Sequence, residues 1–277
     1  MIITDNFVLL AFPKTGTSYT TKALRTIHAR RRLWGRICPD RFQKRDFRRP
    51  GYQEHRVVLP ATVHHKQRSS RHGTWRDIPE QHLHKTIASV VRNPLTRYTS
   101  FYLYQTRMRK KLRPVADIEV LREHYPTYPE LSFAQYYDML QRFRSRELLQ
   151  GVQPAIELGS QTVEFIHFYF RNPAEVFTKI DKRYIESGEF LEDMADVQFL
   201  HQENLTDEFT RFLHRMGYSD ADCELARNLK KQNVSDRTKS EQSPAQFYTD
   251  ELRQRVLEQD ALLFKLFPEY ADTLSTG

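Results

Sequence analysis

A chain of 277 residues, 39% of them hydrophobic, is long enough to bury a substantial core and suits one α/β domain. Its two cysteines exclude a disulfide scaffold, and no apolar run approaches the roughly 20 residues that span a bilayer, so we expect no membrane span. The net charge of +8 indicates an anionic ligand or partner, such as nucleic acid, an acidic glycan or a polyphosphate cofactor.

The N-terminal region and the cysteines bear on the cellular compartment. No basic region precedes the apolar run at residues 8–12, and that run is too short for a signal sequence. Cys38 and Cys223 imply no disulfide framework, which favours a reducing compartment. We therefore expect a cytoplasmic protein.

The first predicted element is a strand at residues 8–12, where valine, leucine and phenylalanine form a buried apolar run. Pro13 ends this strand because proline cannot donate to a ladder. Gly16 permits a tight turn, and Thr17 and Ser18 can cap the amphipathic helix that follows. The stretch therefore predicts a strand, a polar loop and a helix.

This loop has the features of an anion site. The first N–H groups of the helix have no internal partner, and with the helix dipole and Lys14 they can bind phosphate; an ordinary capped turn is the alternative. Loops for nucleoside triphosphates place Gly-Lys-Ser/Thr last, whereas Lys14 here precedes the only glycine of the loop. Residues 13–18, Pro-Lys-Thr-Gly-Thr-Ser, instead resemble the 5′-phosphosulfate loop of the sulfotransferase family.

A basic stretch with interspersed aromatic residues follows at residues 30–49. It can be a solvated connection whose aromatic residues dock on the body of the protein. It can equally be a surface for a polyanion, with the aromatic rings as stacking platforms. The sequence leaves both interpretations open.

A second strand is predicted at residues 57–59, followed by a polar loop at 64–73 and a short helix at 75–81 capped by Thr74. The loop contains His64, His65 and His72, but no cysteine, acidic ligand or His-x₃-His spacing accompanies them, so we expect no metal.

His72 is instead a candidate general base, because histidine titrates near neutral pH and can accept a proton from an attacking hydroxyl. The stretch at residues 71–74, Arg-His-Gly-Thr, resembles the histidine-containing stretch of carbohydrate-type sulfotransferases. His64, His65 and Glu54 remain alternatives for this base.

The next strand, at residues 87–91, runs directly into Arg92 and a helix whose first position is Pro94. Arg92 at the strand end and Ser100 two turns into the helix can converge on one group, and an arginine fork with a hydroxyl suits a phosphate dianion. Arg-Asn-Pro, then Arg97, then Ser100 resembles the 3′-phosphate motif of sulfotransferases in order and spacing.

The remaining pattern predicts mostly helices. Three of them lie at residues 132–149, 162–170 and 250–267, and a fourth begins at the cap Thr206 and ends at Gly217. A strand is predicted at residues 197–200. Residues 106–195 are expected to include the acceptor side. The basic loop at residues 229–243, with lysines from Lys230 to Lys239, either closes over a nucleotide or is solvated.

The resemblance implies a single α/β domain over residues 1–277, with a central parallel sheet flanked by helices as in P-loop nucleotide kinases. It implies 3′-phosphoadenosine 5′-phosphosulfate (PAPS) as the donor, 3′-phosphoadenosine 5′-phosphate (PAP) as the product, and no metal. Lys14 would stabilise the leaving oxygen, and N–H groups from Thr15 to Ser18 would hold the 5′-phosphate. Arg92 and Ser100 would bind the 3′-phosphate, and His72 would deprotonate the acceptor.

Other functions stay open at this level. A small-molecule kinase would share the fold but needs magnesium and ATP, and the missing Gly-Lys-Ser/Thr order counts against it. A non-enzymatic polyanion or nucleic-acid binder would use the basic stretch at residues 30–49, but we expect no nucleic acid partner. For the acceptor we favour a carbohydrate hydroxyl over a lipid, a phenol or a tyrosyl peptide. The oligomeric state has no sequence signature.

Overall fold

The computed structural model describes residues 1–30, 51–59, 68–108, 112, 114–149, 151–229 and 244–271. The predictions made for residues 31–49, for His64 and His65, and for the loop from Lys230 to Lys239 lie outside the described residues. Within those ranges, no helix is long and apolar enough to cross a membrane.

The chain divides into two compact units, which we describe separately. The first consists of Met1–Leu59, Ser69–Arg92 and Asp196–Lys239, and the second of Pro60–Arg68, Asn93–Ala195 and Ser240–Gly277. The single domain predicted for residues 1–277 stays a prediction.

The described strands form two sheets. In chain order they are β1 (Ile2–Thr4), β2 (Phe7–Leu9), β3 (Tyr52–Glu54), β4 (Val57–Leu59), β5 (Arg68–Ser70), β6 (Thr86–Val91) and β7 (Gln198–His201). The main sheet has the order β3-β1-β2-β6-β7, and β4 pairs with β5 in a separate two-stranded sheet. The strand predicted at residues 57–59 is therefore present, but outside the main sheet.

The α-helices of the described residues are, in chain order, α1 (Thr17–Arg30), α2 (Pro94–Leu103), α3 (Ile118–His124), α4 (Phe133–Met139), α5 (Ser145–Leu149), α6 (Ser160–Tyr169), α7 (Pro173–Lys179), α8 (Lys182–Ser187), α9 (Phe190–Asp193), α10 (Leu205–Arg215), α11 (Asp220–Asn228), α12 (Asp250–Gln259) and α13 (Ala261–Leu266). Two π-helical segments, Tyr104–Met108 and Leu140–Arg144, continue α2 and α4. The helices predicted at residues 132–149 and 162–170 are confirmed.

The main sheet is mixed, and its centre is parallel. β2 pairs with β6, and β6 pairs with β7, in parallel, whereas β1 runs antiparallel to both β2 and β3. Leu9 lies opposite Ala88, and Val91 lies opposite His201. The predicted α/β class with a central sheet is confirmed, and the predicted parallel pairing holds for β2, β6 and β7.

One face of the main sheet is covered by helices of the first unit. Alternate strand residues, such as Phe7 and Leu9, join the apolar sides of α1, α10 and α11 in one buried cluster. The ring of Phe7 meets Phe212 edge to face, with 4.9 Å between ring centroids. This packing holds the N-terminal end of α1 next to the end of β2.

The ends of α10 differ in part from the prediction. The helix begins at Leu205 and Asn204 precedes it, so Thr206 lies in the first turn and is not the cap. Gly217 ends the helix as predicted: its φ is +78°, and Tyr218 N donates to Leu213 O at 3.1 Å.

The predicted helix at residues 250–267 is broken at Asp260, between α12 and α13. The Asp260 carboxylate is fully buried and accepts hydrogen bonds from Thr162 N and Oγ1 at 2.8 and 2.9 Å and from the Tyr98 hydroxyl at 2.9 Å. Burial raises the pKa of Asp260 to about 6, although these donors and the charge of Arg97 oppose the shift.

This raised pKa predicts that the free energy of unfolding depends on pH. Protonated Asp260 favours the folded chain, so its contribution is complete below the ordinary pKa near 4 and is lost as the pH rises through about 6. The difference between these pKa values corresponds to about 3 kcal/mol. As the pH rises from 4 to 7, the free energy of unfolding of Asp260→Asn should increase by that amount relative to the wild type. Denaturant unfolding at each pH measures this difference.

The exposed carboxyl of Glu258 provides the control for this measurement. Glu258→Gln changes an exposed carboxyl of the same helix and leaves Asp260 in place, so this variant should keep the loss of stability between pH 4 and 7. Parallel curves for Asp260→Asn and the wild type would contradict the prediction.

Candidate active site

The three parallel strands of the first unit end at one edge of the main sheet. Leu10 N donates to Ala88 O at 2.8 Å, and Ser89 Oγ donates to Leu10 O at 3.2 Å, so the end of β2 is tied to β6. Open α/β sheets bind ligands outside the carboxyl ends of their parallel strands. The residues that follow β2, β6 and β7 are therefore the first candidates for a site.

The loop after β2 has an unusual backbone. Lys14 has a φ of +65° and Gly16 a φ of +94°, while Thr15 between them is outside the left-handed region. Such alternation is typical of backbone nests, in which successive N–H groups point into one concavity that binds anions. A left-handed lysine costs about 1 kcal/mol or more, which the surrounding contacts must offset.

Two contacts within the first unit hold this loop. The buried Thr15 hydroxyl donates to Phe12 O at 3.0 Å. A Cβ atom on Gly16 would lie 2.7 Å from Leu205 Cδ2 and 3.4 Å from Gln202 Cγ, so the segment after β7 packs directly on the loop. Glycine is required there both by its φ and by this packing.

The predicted capping role of Thr17 and Ser18 is wrong. Both residues lie in the first turn of α1, and Tyr19 N donates to Gly16 O at 2.9 Å. Their own N–H groups belong to the first turn, whose donors have no intrahelical acceptor. The predicted order of strand, loop and helix N-terminus is confirmed, but β2 ends at Leu9 and not at Pro13, so residues 10–12 already belong to the connection.

Arg92, which follows the end of β6, lies beside this loop. Its Nη1 donates to Lys14 O at 3.5 Å, and its side chain is half-buried. The structure therefore brings together Arg92 and Lys14, which are separated by 78 positions in the sequence. A guanidinium therefore lies beside the backbone of a loop that itself carries a lysine, and both residues contribute positive charge to this part of the first unit.

His72 contacts the same edge. Its Nδ1 lies 2.6 Å from Ala11 O, three residues before Lys14, and its main-chain N donates to Ser70 Oγ at 3.1 Å. Because a main-chain carbonyl can only accept, Nδ1 carries the proton of this hydrogen bond. In the neutral ring the basic lone pair is then on Nε2, which is the nitrogen that can accept a proton.

The segment after His72 differs from the predicted helix at residues 75–81. It contains two short 3₁₀ turns, Trp75–Asp77 and Glu80–His82. Thr74 begins the first turn as predicted, and its N and Oγ1 donate to Asp77 Oδ2 at 2.7 and 2.8 Å. This fixed turn follows His72 directly and limits the backbone freedom of the histidine.

Glu54, the acidic alternative to His72, is already engaged in an ion pair. It accepts hydrogen bonds from Arg25 Nη2 and from the Tyr52 hydroxyl, each at 2.6 Å. A carboxylate held by a guanidinium is a weak base, since the pairing favours its charged form.

Ser100 and Arg97 lie on α2 in the second unit. Ser100 is half-buried, and its convergence with Arg92 stays a prediction. Arg97 is buried and donates to Glu164 Oε2 at 2.5 Å and to Gln161 Oε1 at 3.1 Å. The second arginine of the predicted phosphate motif is therefore a structural residue of its own unit.

The sequence analysis missed His201, which ends β7 at the same sheet edge. Glu208 Oε2 accepts from His201 N at 2.7 Å and lies 3.2 Å from its Nδ1. His201 is the last residue of β7, the third parallel strand, which pairs with β6. This position at a strand end is the signal that the sequence analysis did not use. Within the described ranges, no three histidine, cysteine, aspartate or glutamate side chains gather as a metal site would require.

Comparisons with known proteins give little beyond this geometry. No family model matches the sequence, and no curated protein matches it. Among solved structures, the chain is similar to the mouse sulfotransferase SULT7A1 complexed with PAP, with 15% identity and a TM-score of 0.39 over 96% of this chain and 84% of that one. This likeness is too distant to place the chain in a family.

Proposed function

We propose that the protein is a sulfotransferase that moves the sulfuryl group of PAPS to an acceptor hydroxyl and releases PAP. The observation that supports this proposal most directly is the contact of Arg92 with the Lys14 loop. Arg92, the first residue of the motif that resembles a 3′-phosphate site, thus lies beside the loop that resembles a 5′-phosphosulfate site.

The donor would bind through its two phosphate groups. N–H groups from Thr15 to Ser18 would face the concavity of the loop and hold the 5′-phosphate, whose charge the N-terminus of α1 favours. Arg92 would bind the 3′-phosphate with its guanidinium fork, and Ser100 would add a hydroxyl donor.

The chemistry would be an in-line transfer. The acceptor oxygen forms a bond to sulfur while the bond from sulfur to the bridging phosphate oxygen breaks, and that oxygen leaves as part of PAP. Lys14 would stabilise the negative charge that develops on the bridging oxygen. His72 Nε2 would take the proton of the attacking hydroxyl, so the imidazole becomes charged as PAP leaves.

The acceptor class remains the carbohydrate hydroxyl favoured by the residues around His72. The acceptor side predicted for residues 106–195 is part of this proposal. The reaction needs no metal, since the Lys14 loop and Arg92 would supply the positive charge that magnesium supplies in kinases.

Replacing Arg92 by alanine tests this proposal. We expect the affinity for PAP to fall about 10- to 100-fold, because a charge-assisted hydrogen bond to the 3′-phosphate is lost, while the affinity for AMP changes little. Calorimetric titration of both nucleotides measures the two effects.

Arg76→Ala is the matched control, because Arg76 is an exposed arginine of the same unit. It should leave PAP binding unchanged. An equal loss of PAP and AMP affinity in Arg92→Ala would contradict the assignment of Arg92 to the 3′-phosphate.

A further inference from the structure

Two arginines of the second unit share one buried carboxylate. Glu164 on α6 accepts from Arg97 Nη2 at 2.5 Å through Oε2 and from Arg144 Nη2 at 2.8 Å through Oε1. Burial alone would raise the pKa of Glu164, but the two guanidiniums outweigh it and lower the pKa. The three side chains therefore carry two positive charges and one negative charge.

The two arginines differ in their access to solvent. The side chain of Arg97 is 2% exposed, whereas that of Arg144 is 32% exposed. Arg97 also donates a hydrogen bond to Gln161, whereas the hydrogen bond to Glu164 is the only one that Arg144 makes among the described residues. A guanidinium has five N–H donors, so Arg144 keeps most of its donors for a ligand that reaches it from solvent.

The surroundings of Arg144 favour an anion. The guanidiniums of Arg97 and Arg144 lie 5.2 and 5.7 Å from the centroid of the Phe101 ring, within the range of cation–π contacts. Tyr136 and Leu140 border the same cluster. One carboxylate does not balance two guanidiniums, and apolar neighbours strengthen the attraction of the remaining positive charge for an anion, because they reduce the screening by water.

Arg144 also has a distinctive backbone position. It is the last residue of the π-helical segment Leu140–Arg144, and such segments occur frequently at functional sites. The net positive charge of the three side chains and the exposure of Arg144 are two separate observations that point to an anionic ligand.

We propose that Arg144, backed by Arg97 and Glu164, binds a carboxylate or sulfate group. The group can belong to the acceptor or can be a free inorganic anion. The first source rests on the proposed function, and it makes the acceptor an acidic molecule, such as a carbohydrate that carries uronic acid or sulfate groups. The second source is independent of the proposed function.

The anion site is tested directly by NMR on the full chain labelled with ¹⁵N-arginine. Arg144→Gln and Arg144→Lys identify the Nε–Hε signal of Arg144, and sodium sulfate or sodium acetate is then titrated against sodium chloride at constant ionic strength. We expect a saturable shift of the Arg144 signal, while the signal of the neighbouring exposed Arg142 changes little. A shift of Arg144 that is linear, or no larger than that of Arg142, overturns the proposal.

A second variant keeps the test valid if Arg144→Gln folds poorly. Glu164→Gln removes the carboxylate that competes with the added anion, so sulfate should bind more tightly to this variant than to the wild type. Weaker or unchanged sulfate binding in a folded Glu164→Gln variant contradicts the proposal.

Kinetics with paired acceptors separate the two sources. If the acceptor carries the anion, Arg144→Gln should raise the KM for an acidic sugar about tenfold or more and leave the KM for its neutral counterpart unchanged. Unchanged KM values with a saturable NMR shift assign the site to a free anion. An absence of any sulfuryl transfer contradicts the proposed function, whereas the NMR result still decides the anion site.

Discussion

Replacing Lys14 by alanine should lower the rate of sulfuryl transfer about 10²- to 10³-fold while leaving the chain folded. Removal of a single group that stabilises charge in a transition state has effects of this size. The stability should change little, because Lys14 is only half-buried. Its φ of +65° strains alanine and lysine alike, since both carry a Cβ atom.

The measurement is kcat for PAPS turnover together with the thermal midpoint of each variant. Lys182→Ala, at an exposed lysine of the second unit, should keep the wild-type rate. Lys14→Arg should recover only part of the rate, because a planar guanidinium does not reproduce a compact ammonium. A wild-type turnover rate in folded Lys14→Ala would contradict the role of Lys14 in stabilising the transition state.

His72→Ala should lower kcat about 10²- to 10⁴-fold, which is the usual contribution of a general base. Alanine also removes the hydrogen bond to Ala11 O, so the loss alone would not separate catalysis from positioning. His72→Asn resolves this, because an asparagine amide can donate to Ala11 O but offers no nitrogen base.

We expect His72→Asn to be as slow as His72→Ala, with PAP affinity close to the wild type in both. His84→Ala, at an exposed histidine of the same unit, should be unaffected. Recovery of the rate in His72→Asn would mean that the histidine only positions the end of β2.

Long elements with a clear pattern were predictable from the sequence. The run that became β2 and α1, the strand β6 with Pro94 at the start of the next helix, and the helix after Gly159 all follow from apolar spacing and strong capping residues. β1 and β3 were not predicted, because their short segments do not stand out from the sequence around them. Their place is decided by pairing with each other and with β2.

Elsewhere, the contacts between buried polar groups could not be predicted from the sequence. Asp260 interrupts a continuous amphipathic pattern because Tyr98 and Thr162, far away in the sequence, bind its carboxylate. Arg97 occupies a motif position that suggests a ligand, yet Glu164 holds it inside the second unit. Such partners become adjacent only through tertiary packing, so no local pattern reveals them.

The same reasoning applies to the candidate active site. Lys14 and Arg92 were predicted from residue type and position at strand ends, and their contact in the first unit agrees with that reasoning. The left-handed φ of Lys14 and the Nδ1 contact of His72 could not be predicted, because each depends on the surrounding backbone. His201 was missed because its strand was predicted to end at residue 200, one residue before the end of β7.

The most direct test of the proposed function is calorimetric titration of the full chain with PAP, with AMP and with ATP plus magnesium. The Lys14 loop and Arg92 predict that PAP binds at least about tenfold more tightly than AMP, since only PAP offers a 3′-phosphate to a guanidinium. Equal binding of PAP and AMP, or tighter binding of magnesium ATP, would contradict the sulfotransferase proposal and favour a kinase.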